Sequence, residues 1–126
     1  MKLHARVAIV TVVTLLVTAC ATNQPKYNWG TYDRSLYVYY KDPATAPALT
    51  QNLESTINAA EKTNAVVAPG IYAEYGYLLL QQGNATAAID AFRKEEVHWP
   101  ESRVFMDRMI QASAAHKTAA ADLRTH

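Results

Sequence analysis

At 126 residues, half of them hydrophobic, the chain has the size and apolar content of one small folded domain. Twelve basic residues against eleven acidic ones leave a formal net charge of +1, without the basic footprint of a nucleic-acid binder. A single cysteine excludes an internal disulfide framework.

The first residues have the parts of a secretory signal. Lys2 and Arg6 make a positive start, and Val7 to Val17 is apolar apart from Thr11 and Thr14. That run is too short for a membrane-spanning helix, which needs roughly 17–25 residues. Val17-Thr18-Ala19-Cys20 resembles the bacterial lipobox, in which a small residue precedes a thiol that is diacylated before cleavage. Thr18 is its least usual member. Residues 1–19 are therefore expected to be removed and Cys20 to become the lipidated N-terminus, leaving no free thiol. One acyl chain holds a protein only marginally, whereas the three of a mature lipoprotein anchor it firmly. Ala21 is not the aspartate that resembles an inner-membrane retention signal. The expected location is the outer membrane, on its periplasmic face. Residues 20–30 read as lipidated cysteine and short tether; from Ala21 to Lys26 it reaches roughly 20 Å at about 3.3–3.6 Å per residue.

Beyond the tether the periodicity predicts an all-α domain over 31–115, with about five helices and a tail at 116–126. Thr31 to Lys41 is a helix with Tyr32, Leu36, Tyr39 and Tyr40 on one side. Leu36 to Tyr40 also has strand-like composition, but a lone strand would have no visible partner. After the break at Asp42-Pro43, Leu49, Leu53, Ile57 and Ala60 step along one face of a helix over 45–63. Pro69 suits the first turn of a third helix, which carries Ile71, Tyr75, Leu78 and Leu79. Gly83 caps that helix and Asn84 begins the next, where Ala88, Ile89 and Phe92 form a stripe continued by Trp99. Pro100 opens a further helix with Val104, Phe105, Met109 and Ala112 as its apolar face. The alanine-rich stretch from Ser113 to His126 fits either helix or disorder. Short connections make neighbouring helices antiparallel hairpins.

The stretch from Pro69 to Pro100 is similar to a tetratricopeptide repeat. Tyr72, Tyr75 and Gly76 match its first helix, Gly83 its turn, and Ala88, Phe92 and Pro100 its second half. Leu79 and Glu95 depart from the pattern. Gly76 carries the prediction, because glycine within a helix costs about 1 kcal/mol relative to alanine unless helices approach closely there. Three aromatic-rich blocks resemble a family of small lipoproteins, domain of unknown function 4810: Tyr27-Asn28-Trp29-Gly30 with Tyr32 and Leu36 to Lys41; Gly70 to Leu79; and Trp99 to Met106. The resemblance implies an outer-membrane lipoprotein accessory to an envelope assembly or export system that includes a curli-channel-like lipoprotein. It carries no catalytic residues across.

The residues themselves point to no reaction. His98, His116 and His126 lack the spacing that places two imidazoles on one helical face for a metal. Glu95 and Glu96 diverge on a helix and read as a solvated face or as partners for Arg93, Lys94 and Arg103. Scattered glycines form no phosphate-cradling loop, and no serine sits in a nucleophile elbow. Asn84-Ala85-Thr86 matches a glycosylation sequon and reads better as a helix cap. The expected protein is non-enzymatic, without cofactor or metal, and binds another envelope protein. Six aromatic residues lie between Tyr27 and Tyr40, and rigid rings with polar tips suit interfaces. Most should pack inward; Tyr37, Tyr77 and Trp29 are the candidates for the partner surface. The alternative is a cell-wall factor that binds peptidoglycan or activates a peptidoglycan synthase, against which the short tether argues.

Overall fold

The computed structural model describes residues 26, 27 and 29–123, and within them every multi-residue element is a helix. Cys20, the signal and His126 lie outside the described residues. Five α-helices follow one another: α1 (Tyr32–Lys41), α2 (Ala46–Thr63), α3 (Ile71–Gln81), α4 (Ala85–His98) and α5 (Arg103–Asp122). Short 3-10 turns at Pro43–Thr45 and Pro100–Ser102 lead into α2 and α5. Each helix packs chiefly on its chain neighbours, giving a run of helical hairpins. None of these helices is long and apolar enough to cross a membrane.

Local chemistry sets the ends. Asp42 accepts the Ala44 N–H at 3.1 Å, so the break at Asp42-Pro43 is an aspartate-capped turn. Asn64 adopts a left-handed φ of 52° and terminates α2. At the end of α3, Gly83 has φ 82°; its N–H bonds the Leu80 carbonyl at 3.0 Å while that of Asn84 bonds Leu79 at 2.9 Å. These paired bonds close the helix in a Schellman turn. The Asn84 side chain then accepts the Ala87 N–H at 3.2 Å, as a helix cap should.

The helix predicted from Pro69 starts two residues later. Gly70 occupies its N-cap with φ 86°, and Pro69 belongs to the preceding turn. Val67 and Ala68, in the same connection, are buried and close the core beneath it. One side of α3 meets Leu49, Leu53, Ile57 and Ala60 of α2, all buried on the predicted face. Its other side meets Ala88 and Phe92 of α4 and Met106 of α5. Tyr75 touches both groups, so α3 is the shared wall between two halves of the core.

Gly76 behaves as its position in a helix implies. A Cβ placed there would come within 2.7 Å of Phe92 Cε1 and 3.1 Å of the Ala88 carbonyl oxygen. Only a hydrogen at that position lets α4 lie this close.

Three expectations about faces are corrected. Tyr40 is 80% exposed, because α1 buries only the side bearing Tyr32, Leu36 and Tyr39, and those partly. On α5 the inward stripe is Met106, Met109, Ile110 and Ser113, while Val104 and Phe105 are exposed and Ala112 also faces outward. A helix packed chiefly on α4 can bury only a narrow stripe, and Met106 with Ile110 fills it. Glu95 is buried rather than solvated. The alanine-rich stretch after Ser113 is helical as far as Asp122.

Two substitutions test this core. Phe92→Ala should cost about 3–5 kcal/mol in urea unfolding. Gly76→Ala should be destabilising by about 1–3 kcal/mol of overpacking, despite alanine's better helix propensity. A gain in stability for Gly76→Ala would contradict the close approach.

Candidate functional site

Two side-chain groups stand out, one aromatic and one polar, at the end of the fold where the described chain begins. Tyr27 lies edge-on to Trp29 at 6.3 Å and to Trp99 at 5.7 Å between ring centroids. Trp29 in turn stacks on Tyr32 at 6.0 Å. The Tyr32 hydroxyl donates to Glu74 Oε2 on α3. Burial first, then the Glu74 bond and charge, push the Tyr32 pKa above its usual range. Thr31 Oγ1 accepts from the Asn52 side-chain amide of α2 at 2.5 Å. These ties hold α1, which has no fully buried residue of its own.

The polar group joins three elements. Glu61 at the end of α2 accepts from Lys94 Nζ at 2.6 Å and from the Tyr72 hydroxyl at 3.2 Å. The hydrogen bond from Lys94 is the main reason the Glu61 carboxyl is held below its ordinary range. Tyr72 is pushed up to about 12 by burial, with the Glu61 charge and bond adding to it. His98 stacks on the Tyr72 ring at 5.3 Å, with 18° between planes. Lys94 on α4 thus pairs with Glu61 on α2, and not with its neighbour Glu95.

Glu95 does different work. It is 1% exposed, and its Oε1 accepts the Gly70 N–H at 2.8 Å and the Ser102 hydroxyl at 3.4 Å. A carboxylate from α4 therefore caps the N-terminus of α3, where helix dipole and free amides favour negative charge. Its Oε2 has no partner. Burial pushes the Glu95 pKa up, and the Gly70, Ala73 and Ser102 bonds only partly oppose this. Sequence reasoning missed this residue, yet a signal was present. Positions 88, 92, 95 and 99 continue one helical stripe, so Glu95 falls in phase with the buried side.

The three predicted surface residues are exposed but not gathered together. Trp29 is 45%, Tyr37 62% and Tyr77 48% exposed. Trp29 belongs to the aromatic group, and Tyr77 lies one helical turn beyond Glu74 on α3. Tyr37 sits apart on α1, with Lys41 Nζ 5.6 Å from its ring centroid. No cluster of three or more histidine, cysteine, aspartate or glutamate side chains among the described residues has a metal-binding arrangement. The arrangement offers partly exposed aromatic surface and an ion pair already satisfied within the fold.

Because the folded state holds the Glu95 proton more tightly than an unfolded chain, its stabilising effect is complete below the ordinary value of 4.5 and is lost as pH rises through the raised range. The stability of the native chain should therefore fall relative to Glu95→Gln as pH rises above 4.5. Parallel unfolding profiles for the two would refute this. Glu95→Ala should cost about 1–3 kcal/mol by leaving buried donors unpaired.

The sequence model of a family described as a domain of unknown function (DUF4810) matches residues 26–109, from the aromatic group into α5. No curated protein and no solved structure matches the chain.

Proposed function

The chain belongs to the DUF4810 family, and on that premise we propose that it is an outer-membrane lipoprotein whose helical domain is a protein-interaction module. Cys20 carries the lipid, and the periplasmic face of the outer membrane is where the domain works. Its partner is another envelope protein, in an assembly or secretion system that includes a curli-channel-like lipoprotein. The role is non-enzymatic and needs no cofactor. The observation that carries this reading is a set of exposed aromatic side chains, Trp29, Tyr37 and Tyr77, on a helical-hairpin domain. That domain follows a signal ending in cysteine.

The α3–α4 hairpin is read as tetratricopeptide-like. Gly76 packs against Phe92 and the Ala88 carbonyl, and these three residues stand at the repeat's small and aromatic positions. Such units stack and present extended side surfaces to partners. The pairing of Glu61 with Lys94 and Tyr72 ties α2, α3 and α4 together, which supports a surface held in a set shape before a partner arrives. A cell-wall role draws on the exposed Trp29 ring, which could stack on a sugar.

Globomycin should accumulate the unprocessed chain, and radiolabelled palmitate should enter the wild type but not Cys20→Ala. A photo-crosslinker at Tyr77 should trap one reproducible envelope protein. Processing untouched by globomycin would remove the anchor, and retention on purified sacculi without a protein adduct would favour the wall.

A further inference from the structure

The outer edge of α1 carries the two most exposed tyrosines of the described chain. Asp33, Tyr37, Tyr40 and Lys41 share one side of the helix at i, i+4, i+7 and i+8 spacing. Tyr37 and Tyr40 are 62% and 80% exposed, and with Leu36 and Tyr39 they border an open depression of about 430 Å³. Among the described elements, α1 packs chiefly on α2 and its leading turn, with Tyr32 reaching Glu74 of α3, and its outer side is an edge. A lysine lies over a tyrosine at both ends of this region: Lys26 is 5.1 Å from the Tyr27 ring centroid and Lys41 is 5.6 Å from that of Tyr37. Tyrosine and lysine side by side, each an apolar stem with a polar tip, is the composition that settles at a bilayer's headgroup level.

Chain length decides what can cover this edge. If Cys20 is lipidated, only Ala21 to Pro25 stand between the anchor and Lys26, a reach of roughly 20 Å. The ten residues of α1 extend about 15 Å at 1.5 Å per residue. No described helix follows the anchor more closely along the chain. We propose that the Tyr37–Tyr40 edge of α1 rests on the membrane surface and sets the orientation of the domain, so that α5 with Val104 and Phe105 points toward the periplasm. This rests on the lipidation of Cys20 and adds to it a face. The Tyr27–Trp29 group then lies beside the bilayer; of the exposed aromatic side chains named above, Tyr37 meets lipid and Tyr77 is left for the protein partner.

Lipidation consumes the native thiol, so a new cysteine can be labelled alone. Tyr40→Cys and Val104→Cys, each in the full lipidated chain, would carry a nitroxide in phosphatidylethanolamine vesicles containing a minority of phosphatidylglycerol. Power saturation by oxygen, which enriches in lipid, and by a water-soluble nickel chelate reads each site. The label at position 40 should favour oxygen several-fold more than the label at position 104, and Tyr37→Cys should agree with it. Equal, water-like ratios at 40 and 104 would overturn the proposal. Shielding of position 40 from both reagents would also overturn it, in favour of a second copy seated on the tyrosines. Palmitate incorporation into the same preparation reads the anchor separately. Lipid incorporated with a water-exposed position 40 sinks the orientation alone, while absence of palmitate sinks the anchored reading with it.

Discussion

The fold depends on how closely two helices can approach at one point. Gly76 has no side chain, and the Phe92 ring and the Ala88 carbonyl occupy the space that one would need. This contact fixes the separation of α3 and α4. Because α3 also forms the wall against α2, the two halves of the core inherit the same spacing. A methyl group here would not be absorbed locally. The ring is buried on α4, and the carbonyl belongs to a helix backbone that cannot yield without moving its whole turn.

Around that rigid centre the first helix is held differently. It buries none of its residues fully and depends on partly buried rings, the Tyr32–Glu74 bond and the Asn52–Thr31 bond. Tyr27 and Trp29 extend these ties back to Trp99 at the far end of α4. The start of the described chain is thus fastened to elements distant in sequence.

Most of this is legible in helical periodicity alone. The bounds of α1 and α2, the Gly83-Asn84 junction and the burial of Leu49, Leu53, Ile57 and Ala60 follow from spacing and cap chemistry, which act locally. The errors have a common origin in tertiary context. Hydrophobicity alone placed Val104 and Phe105 inward, but α5 packs chiefly on α4 and presents Met106 and Ile110 to the core. Charge alone placed Glu95 outward, although the exposed amide of Gly70, far away in sequence, offers a buried carboxylate its partner. The Glu61–Lys94–Tyr72 group was invisible because its members come from three helices. Of the surface candidates, exposure was predictable for Tyr37, Tyr77 and Trp29; their dispersal over separate parts of the surface was not.

The chain has two tryptophans, and both stand at the same corner, Trp29 partly open to solvent and Trp99 half-covered, with Tyr27 between them. Its intrinsic ultraviolet emission is therefore a local gauge. A spectral change on heating or ligand addition speaks first of this corner, and fraying at the distal end of α5 would pass unseen in that signal. Pairing it with circular dichroism, which counts every helical turn alike, separates detachment of the leading segment from melting of the body.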